Sequence, residues 1–252
     1  MKAAHHGRKG SPSKRFALLA ELRPCPIPPA YVSARACRHS TDIVVPLCRE
    51  KRREELLLVL QESLGRFEAE LQGETALAFT LWDERTPRVY RPKEEERFAD
   101  VIKQHLVRDL RDRGVIAHRE VEIRVRHGRG GLAGERTDIH VDVAEPHSVE
   151  SRPVRIRAII EVKGCWHREV LTAMETQLRN RYLRDNDCRH GLYVVGWFLC
   201  PQWDTNDSRR AEALRHMPPK IEEANATFEA QARGLSTGGV TLRSVLINAS
   251  LR

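Results

Sequence analysis

Two short segments constrain this chain more than any other feature: Thr137-Asp138-Ile139-His140-Val141 and Ile159-Ile160-Glu161-Val162-Lys163. Both are rich in β-branched residues, and apolar and polar positions alternate, as in an extended strand with one buried face. Alternate residues of a strand point to the same side. Glu161 and Lys163 therefore share one face while Ile160 and Val162 turn away. Asp138 likewise stands opposite the apolar set Ile139, Val141 and Val143. If the two strands pair, two carboxylates and one ammonium converge outside a core. The lysine is notable in a chain with 8 Lys and 35 Arg. Where arginine is the default cation, a lysine beside a carboxylate points to a need for a compact, titratable ammonium.

The length of 252 residues allows one large domain or two small ones. Hydrophobic content of 40% with 31% charged residues is that of a soluble globular chain. No apolar run approaches the ~18 residues that span a bilayer. The segment 16–20 is too short for the apolar region of a secretory signal. The six cysteines are too few and scattered for a disulfide framework, which fits a reducing cytoplasm. The net charge of +8 is unevenly placed. Residues 1–53 carry 12 basic and 3 acidic side chains, whereas the remaining 199 carry 31 and 32. The pI alone therefore argues little for nucleic acid.

Residues 1–48 mix Gly, Ser, Pro, His and Arg and read as an irregular or disordered basic leader. Leu56, Leu57, Leu60, Leu64, Phe67 and Leu71 recur at helical spacing and predict an amphipathic helix over 50–72. With an irregular link to residue 91, this forms a helical extension, 49–91. Pro92 is placed to open a second helix with the stripe Phe98, Ile102, Leu106 and Leu110. Strands follow at 115–126, 136–143 and 154–163, then a helix over 167–184 and a buried strand at 191–198. A helix over 206–233, interrupted by Pro218 and Pro219, and a strand at 240–247 close the chain.

From residue 92 the order is helix, three strands, helix, strand, then helix and strand, with Asp138 in the second strand and Glu161-Val162-Lys163 ending the third. In this the chain resembles the PD-(D/E)XK nuclease superfamily over about residues 92–200, with Thr137 standing where the family pattern has proline. The resemblance implies an α/β, restriction-endonuclease-like mixed sheet flanked by helices over 92–252. It also implies Mg²⁺, with Mn²⁺ as a substitute, and hydrolysis of phosphodiester bonds. Asp138, Glu161 and the backbone carbonyl of Val162 would bind the cation, and Lys163 would orient or deprotonate the attacking water. The family's first helix often supplies a glutamate. Among Glu94, Glu95 and Glu96, Glu95 shares the buried stripe, lying three residues before Phe98. A glutamine on the helix after the lysine maps to Gln177, with Tyr182 one residue out of the RecB-like spacing and assigned to the core. Arg179 and Arg181 are phosphate-contact candidates, whereas His140 and Asp142, which continue the Asp138 face and could reach a second metal, are expected to be exposed.

The expected function is a Mg²⁺-dependent nuclease acting on DNA in defence or repair, with RNA left open. A homo-oligomer, or work beside a separate NTPase, fits a chain that has no phosphate loop of its own. The competing expectation is a noncatalytic nuclease-like module that binds nucleic acid or a protein.

Overall fold

The apolar stripe beginning at Leu56 builds helix α1 (Thr41–Leu71) in the computed structural model, which describes residues 41–74, 77–124, 135–144 and 155–252. The chain divides into two units, Met1–Cys48 and Arg49–Arg252. Of the first unit, only the start of α1 is described. Residues 41–48, expected to be irregular, are helical, and a Thr-Asp pair at 41–42 is the kind of start signal that opens a helix. The rest of the expected leader, residues 1–40, lies outside the described residues.

The segment expected to be an irregular link carries a 3₁₀ turn (Leu77–Leu81) and a two-stranded hairpin, β1 (Trp82–Thr86) and β2 (Val89–Pro92). Pro92 closes β2 rather than opening a helix. Helix α2 (Glu95–Asp109) begins three residues later, with Glu95 and Glu96 in its first turn, where acid groups offset the helix dipole. Trp82 anchors the hairpin: its Nε1 donates to the Ala249 carbonyl at 2.9 Å.

Five strands form the main sheet: β3 (Val115–Arg124), β4 (Glu135–Ala144), β5 (Arg155–Gly164), β6 (His190–Trp197) and β7 (Thr241–Asn248), in that spatial order. β3, β4 and β5 pair antiparallel, then β5–β6 and β6–β7 pair parallel. Parallel neighbours need a crossover connection. Between β5 and β6 it contains α3, a π-helix (Met174–Leu183). Between β6 and β7 it contains α4 (Ser208–His216) and α5 (Ile221–Leu235), parted at Pro218 and Pro219. The fold is thus α/β, a mixed five-stranded sheet and a two-stranded sheet flanked by helices.

Close contacts assign the helices to the two faces of the sheet. A Cβ on Gly196 would fall 2.7 Å from the Phe98 ring, so α2 covers the face that also holds Leu192 and Val194. On the opposite face the Tyr193 hydroxyl donates to the Val170 carbonyl at 2.7 Å, and its ring packs on Phe228 of α5. A Cβ on Gly191 would meet Leu178 of α3 on that same face.

β7 lies at an edge of the sheet, where exposed backbone groups invite pairing with other chains. Side chains occupy much of that edge. Gln61 donates to the Ser244 carbonyl, Gln72 to those of Asn248 and Ser250, and Glu68 accepts from Asn248 N. Ser236 Oγ both accepts from Leu242 N and donates to its carbonyl.

A polar network ties α1 to α2. Asp109 accepts from Ser63 Oγ at 2.6 Å and from Arg66 Nη2 at 2.6 Å, and His105 Nε2 lies 2.9 Å from the Ser63 carbonyl. The Arg66 hydrogen bond is the main force holding the Asp109 carboxyl down at about 2. Its stabilising share is complete above the ordinary carboxylate range and fades as pH falls toward 2. Asp109→Asn should therefore destabilise by about 1–2 kcal/mol at pH 7, with the gap to the parent closing below about pH 3. Urea titrations at the two pH values measure this, and an unchanged gap at low pH would refute it.

Candidate functional site

Glu161 and Lys163 lie in β5 beside Tyr193 and Val195 of β6, so they belong to the face covered by α3 and α5. The sequence places the two charges outside a core, but the structure encloses them, with side chains 1% and 8% exposed. The crossover elements above this face account for the difference, since no strand-periodicity argument includes them. A buried charge must find its opposite. Lys163 Nζ lies 2.7 Å from Glu161 Oε1 and 3.3 Å from Glu95 Oε1.

Glu95 reaches the site from the first turn of α2. Its second oxygen, Oε2, accepts from the backbone N–H of Gly164 at 2.8 Å, so one carboxylate holds both the lysine and the strand end that carries it. Its neighbours have other tasks. Glu94 pairs with Arg209 at 3.3 Å, and Glu96 is exposed, its carbonyl accepting from Arg119. Of the three glutamates, the one on the Phe98 stripe is the one at the lysine.

Asp138 lies in β4 next to Ile139, whose register partner on β5 is Ile160. The β4–β5 pairing begins at that pair, one residue after Asp138 on β4 and one before Glu161 on β5. The side chain of Asp138 lies outside the described residues. Among the described residues no group of three or more His, Cys, Asp and Glu is arranged to hold a metal ion. The described donors, Glu161 and Glu95, are oxygen ligands of the kind Mg²⁺ takes, and their two negative charges exceed the single charge of Lys163.

The other predicted residues have these surroundings. Val162 is fully buried on the α2 face, its backbone beside Val194. Gln177 donates to the Glu169 carboxylate near the surface rather than to the lysine centre. Helix α3, which carries Gln177 and Arg181, is wound as a π-helix, in which residues five apart are the bonded neighbours. Arg181 lies over the Tyr182 ring at 5.7 Å, and Arg179 Nη2 donates to Thr237 Oγ1 at 2.9 Å. Tyr182 is core, as expected. His140 is buried and Asp142 half-buried, against the expectation of exposure.

Below the lysine the chain turns sharply. Trp166 packs against Phe198 and Trp203, with ring centroids at 4.9 and 5.8 Å, and the Arg209 guanidinium lies 5.4 Å from its ring centroid. Arg209 is itself held by Asp207. A Trp at a strand-to-helix turn is more often packed than set beside a nucleic-acid groove, and Trp166 is packed here, on partners too distant in sequence for any local pattern to reveal. His167, just beyond, is kept below the usual histidine range first by burial and then by the Lys163 charge. Comparison with protein-family models, curated proteins and solved structures gives no match.

Proposed function

We propose that this chain is a metal-dependent phosphodiesterase of the PD-(D/E)XK type acting on nucleic acid, with DNA as its preferred substrate. The observation that carries the reading is the pair of contacts that hold Lys163 between Glu161 and Glu95 at the end of β5. The finer fold assignment, a restriction-endonuclease-like sheet, is supported by the order helix, three antiparallel strands, crossover helix, parallel strand. Asp138 and Glu161 would hold the cation, which when bound supplies a Lewis acid and a water of lowered pKa. The protein's own share is positioning and charge. Two carboxylates fix the ammonium, and Lys163 directs an N–H donor at the phosphate oxygen where negative charge grows. Glu95 keeps that donor in place through its bond to Gly164 N.

The burial of Glu161 and Lys163 favours a second reading, in which the triad is a structural clamp in a noncatalytic binding module. Incubation of plasmid, single-stranded DNA and RNA with Mg²⁺, Mn²⁺ or EDTA separates the two. The nuclease reading expects cleavage that EDTA abolishes and that Asp138→Ala or Lys163→Ala lowers by roughly 10²–10⁴-fold. Tight binding without cleavage would establish the module instead.

A further inference from the structure

His140 lies on the same face as Glu161 and Lys163, directly across from Ile159 in the β4–β5 ladder. Glu161 is two residues further along β5, which makes the two diagonal neighbours, roughly 7–8 Å apart and within reach of longer side chains. Asp138 is the next residue on that face of β4. His140 is only 8% exposed, and its Nε2 is enclosed without a hydrogen-bond partner. A buried polar atom left so calls for a partner, and an ion is one of the groups that can supply it. Its charged neighbours are Asp142, which pairs with Arg157 at 3.4 Å, and His118, directly across the β3–β4 ladder.

Resting on the metal-dependent reading above, we propose that His140 is a nitrogen ligand of the same cation, and that the site accordingly prefers Mn²⁺ to Mg²⁺. The set Asp138, Glu161 and His140 is two carboxylates and an imidazole. Mg²⁺ binds oxygen almost exclusively, whereas first-row transition cations also accept imidazole. This adds a ligand, and a metal preference, to the carboxylate pair that the sequence motif supplies.

The test uses the full chain loaded with Mn²⁺ and read by electron spin-echo spectroscopy, which detects a directly bound ¹⁴N. The parent should show ¹⁴N modulation, and His140→Gln, which offers an oxygen donor of similar size, should lose it. Calorimetry should show the variant binding Mn²⁺ about tenfold more weakly, with Mg²⁺ affinity shifted less than about threefold. Bound Mn²⁺ without ¹⁴N modulation in the parent overturns the proposal with no variant needed. Modulation that persists in His140→Gln also overturns it, since another imidazole such as His167 is then the ligand. In both cases the cation site stands. If the parent binds neither cation, the metal-dependent reading fails, and the role of His140 with it.

Discussion

Lys163→Met will cost the folded chain about 3–5 kcal/mol at pH 7, well beyond the loss of a surface lysine. The substitution keeps much of the apolar stem but takes the ammonium from Glu161, a side chain only 1% exposed, at a contact of 2.7 Å. Removing one partner of a buried pair leaves the other charge to bear its desolvation cost. Lys163→Arg should not restore stability. Its planar fork does not fit a position built for a compact ammonium between two carboxylates on different elements. Urea unfolding of the three proteins reads both effects, and a deficit under about 1 kcal/mol for Lys163→Met would show that the pair is not the clamp described. This result follows from geometry alone and holds for nuclease and binding module alike. Loss of metal-dependent cleavage in the same variant belongs only to the nuclease reading.

The contrast between what the sequence revealed and what it concealed follows from which interactions are local. The strands were legible because Ile139, Val141, Ile160 and Val162 alternate with polar residues, and one face of the sheet excludes water. Glu95 was legible because its offset from Phe98 places it on a stripe that must face the sheet. The burial of Glu161, Lys163 and His140 was not legible, because what covers that face comes from segments distant in sequence. The β1–β2 hairpin was hidden for a similar reason. Trp-Asp-Glu-Arg-Thr shows no apolar alternation, and the hairpin's ties to the fold are long-range, such as the buried Trp82 ring bonded to a carbonyl 167 residues away and Arg91 paired with Asp204. The π-winding of α3 was not legible either, since no local pattern over residues 174–183 distinguishes it from an α-helix.

Gly164→Ala should disturb the site as much as a change in the charged residues, although it adds a single methyl group. The added Cβ would lie 2.6 Å from the Trp166 ring, and that ring is backed by Phe198, Trp203 and the Arg209 guanidinium. Either the aromatic cluster gives way or the strand end moves. Overpacking of this kind costs about 1–3 kcal/mol. Movement of the strand end also lengthens the 2.8 Å bond from Gly164 N to Glu95, a bond to a charged acceptor worth about 1.5–3 kcal/mol. Glu95 then loses its grip on Lys163, so structure and site fail together. The mechanism makes a specific claim about coupling. If Trp166 is the obstacle, Trp166→Leu should absorb part of the damage, and a double-mutant cycle should show at least about 1 kcal/mol of favourable interaction. Additive losses would place the conflict elsewhere, in the backbone at Gly164 itself, and would remove the steric link between the aromatic floor and the lysine above it.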